Sequence, residues 1–227
     1  LANQISRARP RWGLAEALKG EIAQTSGDYT TAVAKLKVAI ANGDKRLATA
    51  ARLTQLLIKL NRFEEAEEEY SRFERMQSVD PKIAAMGVYL GGRKGSSDEA
   101  LELAKRNATA HERDEFAWLL LAQTGVMAAR SASVKTAKDI LLQEVKEALD
   151  TALTLSNNSS VNAYQLRLRF QFEFFGNDGA RTELERLAKS NVAEPTRSLL
   201  LGLTYLHIRD MEKSLAFLTE AVAKAPK

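Results

Sequence analysis

Cysteine is absent from the 227 residues, which excludes disulfides, thiol nucleophiles and cysteine-held metals. Histidine is almost absent. His111 and His207 lie far apart with no HxxH or HExxH spacing, so no metal site is expected and both read as surface or groove residues. Only 4 prolines and 7% aromatic residues occur, and the Ala, Leu, Glu, Lys and Arg that dominate the remainder favour helix. Long apolar runs are missing too. The most apolar uncharged stretch, Phe116 to Ala129, holds fourteen residues, too few to span a bilayer and suited to a buried helix. The formal charge of +4 and pI near 9.2 are mildly basic. Nucleic-acid binders concentrate charge more strongly, so no nucleic-acid partner is expected.

What the sequence does have is repetition. When "GDYTTAVAKL" at Gly27 is aligned with "NRFEEAEEEY" at Asn61 and "GSSDEALELA" at Gly95, Ala32, Ala66 and Ala100 fall 34 residues apart. Further on, Ala148, Ala180 and Ser214 continue the series at steps of 32 and 34, after one irregular step of 48. Each unit reads as two apolar-periodic segments separated by turn or capping residues, with no sustained strand-like alternation. The small residue permits close approach where the second helix crosses the first. Leu in place of Ala66 overpacks that contact. A single helix pair cannot bury both its faces, so neighbours must stack.

These residues resemble the tetratricopeptide repeat family, whose signature is W-x2-L-G-x2-Y…A-x3-F…A…P over 34 residues. The last unit matches at Leu201-Gly202, Tyr205, Ser214, Leu218, Ala221 and Pro226. The first supplies Gly20, Ala32, Leu36 and Ala39; the second keeps Ala66 and Tyr70 with Thr54 at the glycine position. The fourth contributes Trp118, Leu121 and Ala122, while the third and fifth depart from the pattern with Gly87-Val88 and Arg167-Leu168. The resemblance implies an all-α solenoid, a right-handed superhelix of antiparallel helix pairs. It divides the chain into the tail of a preceding repeat (1–12) and six repeats at 13–46, 47–80, 81–114, 115–160, 161–194 and 195–227. The 35-residue RNA-reading repeats and the 40-residue-plus HEAT and armadillo units do not fit this spacing.

Extending the phase backwards puts Pro10 at the family's closing proline and Leu1 to Ile5 in an earlier helix. No polar capping helix follows the sixth unit, so the expectation is a piece of a longer array. The apolar face Leu215, Leu218 and Val222 would then rest on a neighbour or lie exposed. The fourth unit carries fourteen extra residues. With Ser133 as N-cap, a helix running to Leu155 spans roughly 33 Å and overshoots its neighbours with Ile140, Leu141 and Leu142. It reads either as a docking rod or as extra turns packed on a lengthened partner ending near Arg130.

Chemistry is scarce. "LGGRKGSSDEA" (Leu90 to Ala100) lacks the P-loop order, since Lys94 precedes Gly95, and reads as a loop capped by Asp98. The carboxylates of "EEAEEEYSRFE" read as a solvated face with nothing to raise a pKa. Arg7, Arg9 and Arg11 read as a solvated terminus. No nucleophile–base pair, cofactor or metal site is proposed, and no catalysis is expected.

In the resembled family the first helices of each pair line a concave groove that receives a partner segment. Carried over unit by unit, those positions are Glu21 and Gln24, then Arg52, Gln55 and Lys59, then Lys82, Tyr89 and Arg93. Phe116 and Gln123 follow, then Gln165, Arg169, Phe172 and Glu173, and lastly His207. Lys and Arg outnumber Glu, with aromatics between them, which suits an acidic or C-terminal segment bearing apolar anchors. The family's chaperone-tail clamp does not carry over: its places hold Ala17, Glu21, Arg52, Lys82 and Met86, of which only Lys82 agrees. The function read from the sequence is a non-catalytic protein-interaction scaffold. The alternatives are a self-association module, including a homodimer through the C-terminal face, and the regulatory part of a larger enzyme.

Overall fold

The structure, a computed structural model, describes residues 12–74, 81–93 and 97–225. Leu1 to Ile5, Arg7, Arg9, Pro10, Arg11, Lys94, Gly95 and Pro226, on which expectations were placed above, lie outside the described residues. The chain falls into two compact units, Leu1–Gly95 and Ser96–Lys227. Among the described residues every regular element is a helix. The first unit contains α1 (Gly13–Thr25), α2 (Tyr29–Ala41), α3 (Leu47–Lys59), α4 (Phe63–Glu74) and α5 (Pro81–Arg93). The second contains α6 (Ser97–Ala110), α7 (Glu115–Ser131), α8 (Lys135–Leu155), α9 (Val161–Ala188), α10 (Thr196–His207) and α11 (Met211–Lys224).

One local device makes the helix pairs. At the end of α1, Gly27 takes φ +82°, a left-handed conformation suited to glycine, and the Asp28 N–H reaches back to the Ala23 carbonyl at 2.9 Å. That closes the last turn of the helix. Asp28 then starts α2 by accepting the Thr31 N–H at 3.0 Å, a side-chain N-cap. The same reach-back occurs with Asn61 left-handed and Arg62 N–H on Leu57 O at 2.9 Å. It recurs with Arg209 left-handed and Asp210 N–H on Tyr205 O at 2.9 Å, where Asp210 also caps α11.

The small residues that set the phase, Ala32, Ala66, Ala100, Ala148, Ala180 and Ser214, are all buried. At the last crossing a Cβ on Gly202 would sit 2.7 Å from Leu218 Cγ, and the Ser214 hydroxyl donates to the Gly202 carbonyl at 2.9 Å. Helix backbones this close leave no room for a side chain. Ala66, with no exposed surface, makes the equivalent test in the first unit. Ala66→Leu is expected to lower stability by about 1–3 kcal/mol in urea unfolding; wild-type stability in that variant would show the crossing to be loose.

Three features depart from the sequence reading. The helix of the insertion begins at Lys135 after Val134, with no side-chain cap from Ser133. Of its two readings the structure shows the packed one: its partner α7 runs to Ser131, and Leu142, Val145 and Leu149 form a core with Val126, Phe170 and Phe174, leaving Ile140 exposed. In "LGGRKGSSDEA" Leu90 to Arg93 end α5 and Ser97 starts α6, so Asp98 lies within the first helical turn rather than capping a loop. In the fifth unit the two segments join as α9, which bends at Gly176 (φ 67°, ψ −154°) with no intervening coil. One residue is enough to redirect the chain there, and the rest of the turn-like cluster Gly176-Asn177-Asp178-Gly179 continues as helix.

Candidate functional site

The first arm of α9 buries Ala163, Tyr164, Arg167, Leu168 and Phe170. Gln165, Arg169, Phe172 and Glu173 stay on its exposed side, at the i, i+4, i+7, i+8 spacing of one helical stripe. Helix α10 offers a matching stripe of Leu200, Leu203, Thr204 and His207. Together with Leu168 and with Arg130 near the end of α7, the two stripes line an open cleft of about 540 Å³, within the size range of ligand pockets.

The cleft is chemically uneven. Buried Leu168 and Leu200 lie beside half-exposed Phe172 and Leu203. The Phe172 and His207 rings meet edge to face with centroids 5.2 Å apart, a favourable aromatic geometry. The Thr204 hydroxyl is turned back onto the Leu200 carbonyl at 2.8 Å. Arg130 donates through Nε and Nη2 to the two oxygens of Glu173, each at 2.6 Å, a bidentate fork. The hydrogen bond from Arg130 holds the Glu173 carboxyl below its usual range and raises Arg130 in turn. Arg169, on the same face, makes no ion pair among the described residues. It is the cleft's uncompensated cation.

The other residues proposed from the sequence are placed differently. Arg52 is paired with Glu21 at 2.6 Å, Lys59 Nζ lies 3.9 Å from the centre of the Tyr29 ring, and Arg93 stacks at 3.5 Å on Phe63. Phe63 in turn lies 6.4 Å from exposed Tyr89. Gln55, Lys82 and Gln123 are exposed. None of these lines the cleft, and in the first unit intramolecular partners engage three of the basic side chains. Gln165, Arg169, Phe172, Glu173 and His207 do come together. Sequence reasoning missed Arg130, Leu168, Leu200, Leu203 and Thr204. Arg130 belongs to the irregular fourth unit, where repeat phase says nothing about facing.

The acidic segment exposes Glu64 and Glu68 as expected and departs from expectation at Glu69. Glu69 is buried and accepts from Arg72 at 2.6 Å. Glu65 is pushed down to about 2 by hydrogen bonds from Arg62 and then Lys37, the wrong direction for a general acid. His111 Nδ1 bonds the Asn107 carbonyl at 2.9 Å. Among the described residues no cluster of His, Asp and Glu could hold a metal, and no helix is long and apolar enough to cross a membrane.

No protein-family model and no curated protein sequence matches the chain. Solved structures do. TTC0263, a thermophilic tetratricopeptide repeat protein of Thermus thermophilus, superposes at TM-score 0.57 with 20% identity over 79% of this chain and 92% of its own. PilW, a type IV pilus biogenesis factor, gives TM-score 0.66 at 15% identity over 88% and 87%. Human IFIT1, solved as a dimer with m7Gppp-AAAA, gives 0.65 at 13% identity; 98% of this chain is covered, but only 53% of IFIT1. With buried small residues at steps of 32 to 34 residues broken once by a step of 48, and with every regular element among the described residues a helix, the chain has the fold of the tetratricopeptide repeat proteins.

Proposed function

We propose that the chain is a non-catalytic protein-interaction scaffold that seats a partner segment in the cleft between α9 and α10. The observation carrying this reading is an open apolar cleft in which Arg130 and Glu173 pair with each other and the Thr204 hydroxyl bonds the Leu200 carbonyl, while Arg169 makes no ion pair among the described residues. Such a surface holds apolar anchors and steers by charge. A photo-crosslinking residue placed at Phe172 in the full chain is expected to capture a discrete protein from native extract, while the same residue at Ile140 does not. Arg169→Glu is expected to reduce that capture by about tenfold or more, as loss of one charge-assisted contact implies. Equal capture at Ile140, or indifference to Arg169→Glu, would move the binding surface away from the cleft.

Self-association is a second reading, favoured by the C-terminal helix pair. Leu215 is 69% and Val222 77% exposed on α11, and Leu199 and Leu206 are exposed on α10. Leu218, expected on the same face, instead turns inward to Gly202. Human IFIT1 has been solved as a dimer and, with two leucines changed to glutamate, as a monomeric mutant. If this face pairs two copies, light scattering will show a mass that rises with concentration and falls to the monomer in Leu215→Glu/Val222→Glu. A monomer at every concentration removes this reading.

A further inference from the structure

Resting on the cleft as binding site, we infer that its occupant is an apolar residue bearing a free carboxylate, and that Arg130 is a positioning residue which keeps Arg169 available to that carboxylate. Arg169 and Glu173 are four residues apart on one helix, the spacing at which opposite charges pair. They do not pair here, because both Glu173 oxygens are taken by the Arg130 fork. The other cation near Glu173 is Lys138, which also favours its charged form but lies over the Phe174 ring at 5.2 Å and makes no ion pair with Glu173 among the described residues. Arg130 therefore neutralises the carboxylate that would otherwise neutralise Arg169. The result is one free guanidinium beside Leu168, Phe172, Leu200 and Leu203. A guanidinium prefers a planar, bidentate anion, and the apolar walls require that anion to carry a hydrocarbon or aromatic body.

The test uses N-acetyl-leucyl-phenylalanine and its C-terminal amide, titrated into the ¹⁵N-labelled chain and followed by NMR at the Arg169 side chain, the Phe172 amide and the His207 ring. The acid is expected to shift all three and to bind about tenfold more tightly than the amide, the effect of one hydrogen bond to a charged group. Arg130→Gln frees Glu173 for Arg169 and should bring the acid down to the level of the amide. Arg130→Gln/Glu173→Gln should restore it, although the fork stays broken. An acid and amide that bind alike at the cleft would overturn carboxylate recognition while leaving the cleft a binding site. A double variant as weak as Arg130→Gln would show that Arg130 touches the ligand itself and end its positioning role. Absence of shifts with either probe would overturn both the inference and the cleft.

Discussion

Replacing Arg167 with methionine is expected to destabilise the second unit by about 3–5 kcal/mol, the usual cost of leaving a buried charge without its partner. Arg167 is 5% and Glu183 2% exposed, and the Arg167 Nε–H donates to Glu183 Oε2 at 2.6 Å. The other Glu183 oxygen, Oε1, is buried with no hydrogen-bond partner among the described residues. Burial raises the neighbouring Tyr164 hydroxyl, and the Glu183 charge pushes the same way. Arg167 also donates through Nη1 to Asp150, which Arg186 shares; that carboxylate is half exposed and water can replace the lost bond. Urea unfolding followed by circular dichroism measures the loss. Arg167→Met/Glu183→Leu should recover most of it, because two apolar groups of similar volume need no pairing. If the double variant is as unstable as the single one, lost packing rather than an orphaned charge is responsible.

Phe170→Ala should cost a comparable amount, about 3–5 kcal/mol. Its ring is 1% exposed and packs with Ala122, Val126, Val145, Ala148 and Leu149, and the Phe174 and Phe175 rings stand 5.5 and 5.6 Å away. This residue locks the first arm of α9 against the extra turns of α8, and the opposite side of that arm carries Arg169 and Phe172. The cavity left by alanine therefore loosens the helix that presents the cleft. The urea midpoint should fall with the slope unchanged, the sign of altered stability rather than altered compactness. Phe170→Leu should lose less, because most of the volume stays filled. A loss below about 1 kcal/mol in Phe170→Ala would mean that α9 is held mainly by its charges.

The contrast between those residues shows where the sequence could be read. The small residues at Ala32, Ala66 and Ser214, and the turn residues Gly27 and Asp210, act within a few positions of themselves. Their meaning survives in a linear string. Arg167 stood where the repeat pattern places leucine, and nothing local showed that Glu183 across the Gly176 bend would meet it. In the same way, the phase placed Gln165, Arg169, Phe172 and His207 on one side of their helices, but it said nothing about which of them keeps its charge free.

The sequence by itself determined the helices, their pairing and the repeat phase, because capping, apolar spacing and steric limits at a crossing are short-range effects. Tertiary structure alone decided the cleft. The Arg130–Glu173 fork joins residues 43 positions apart, and Leu168 and Leu200 face one space only once α9 and α10 pack. Electrostatic availability depends on distances between helices, which repeat spacing does not encode. Arg52, Lys59 and Arg93 look as free in the sequence as Arg169, and only the packed chain shows that three of the four are already engaged.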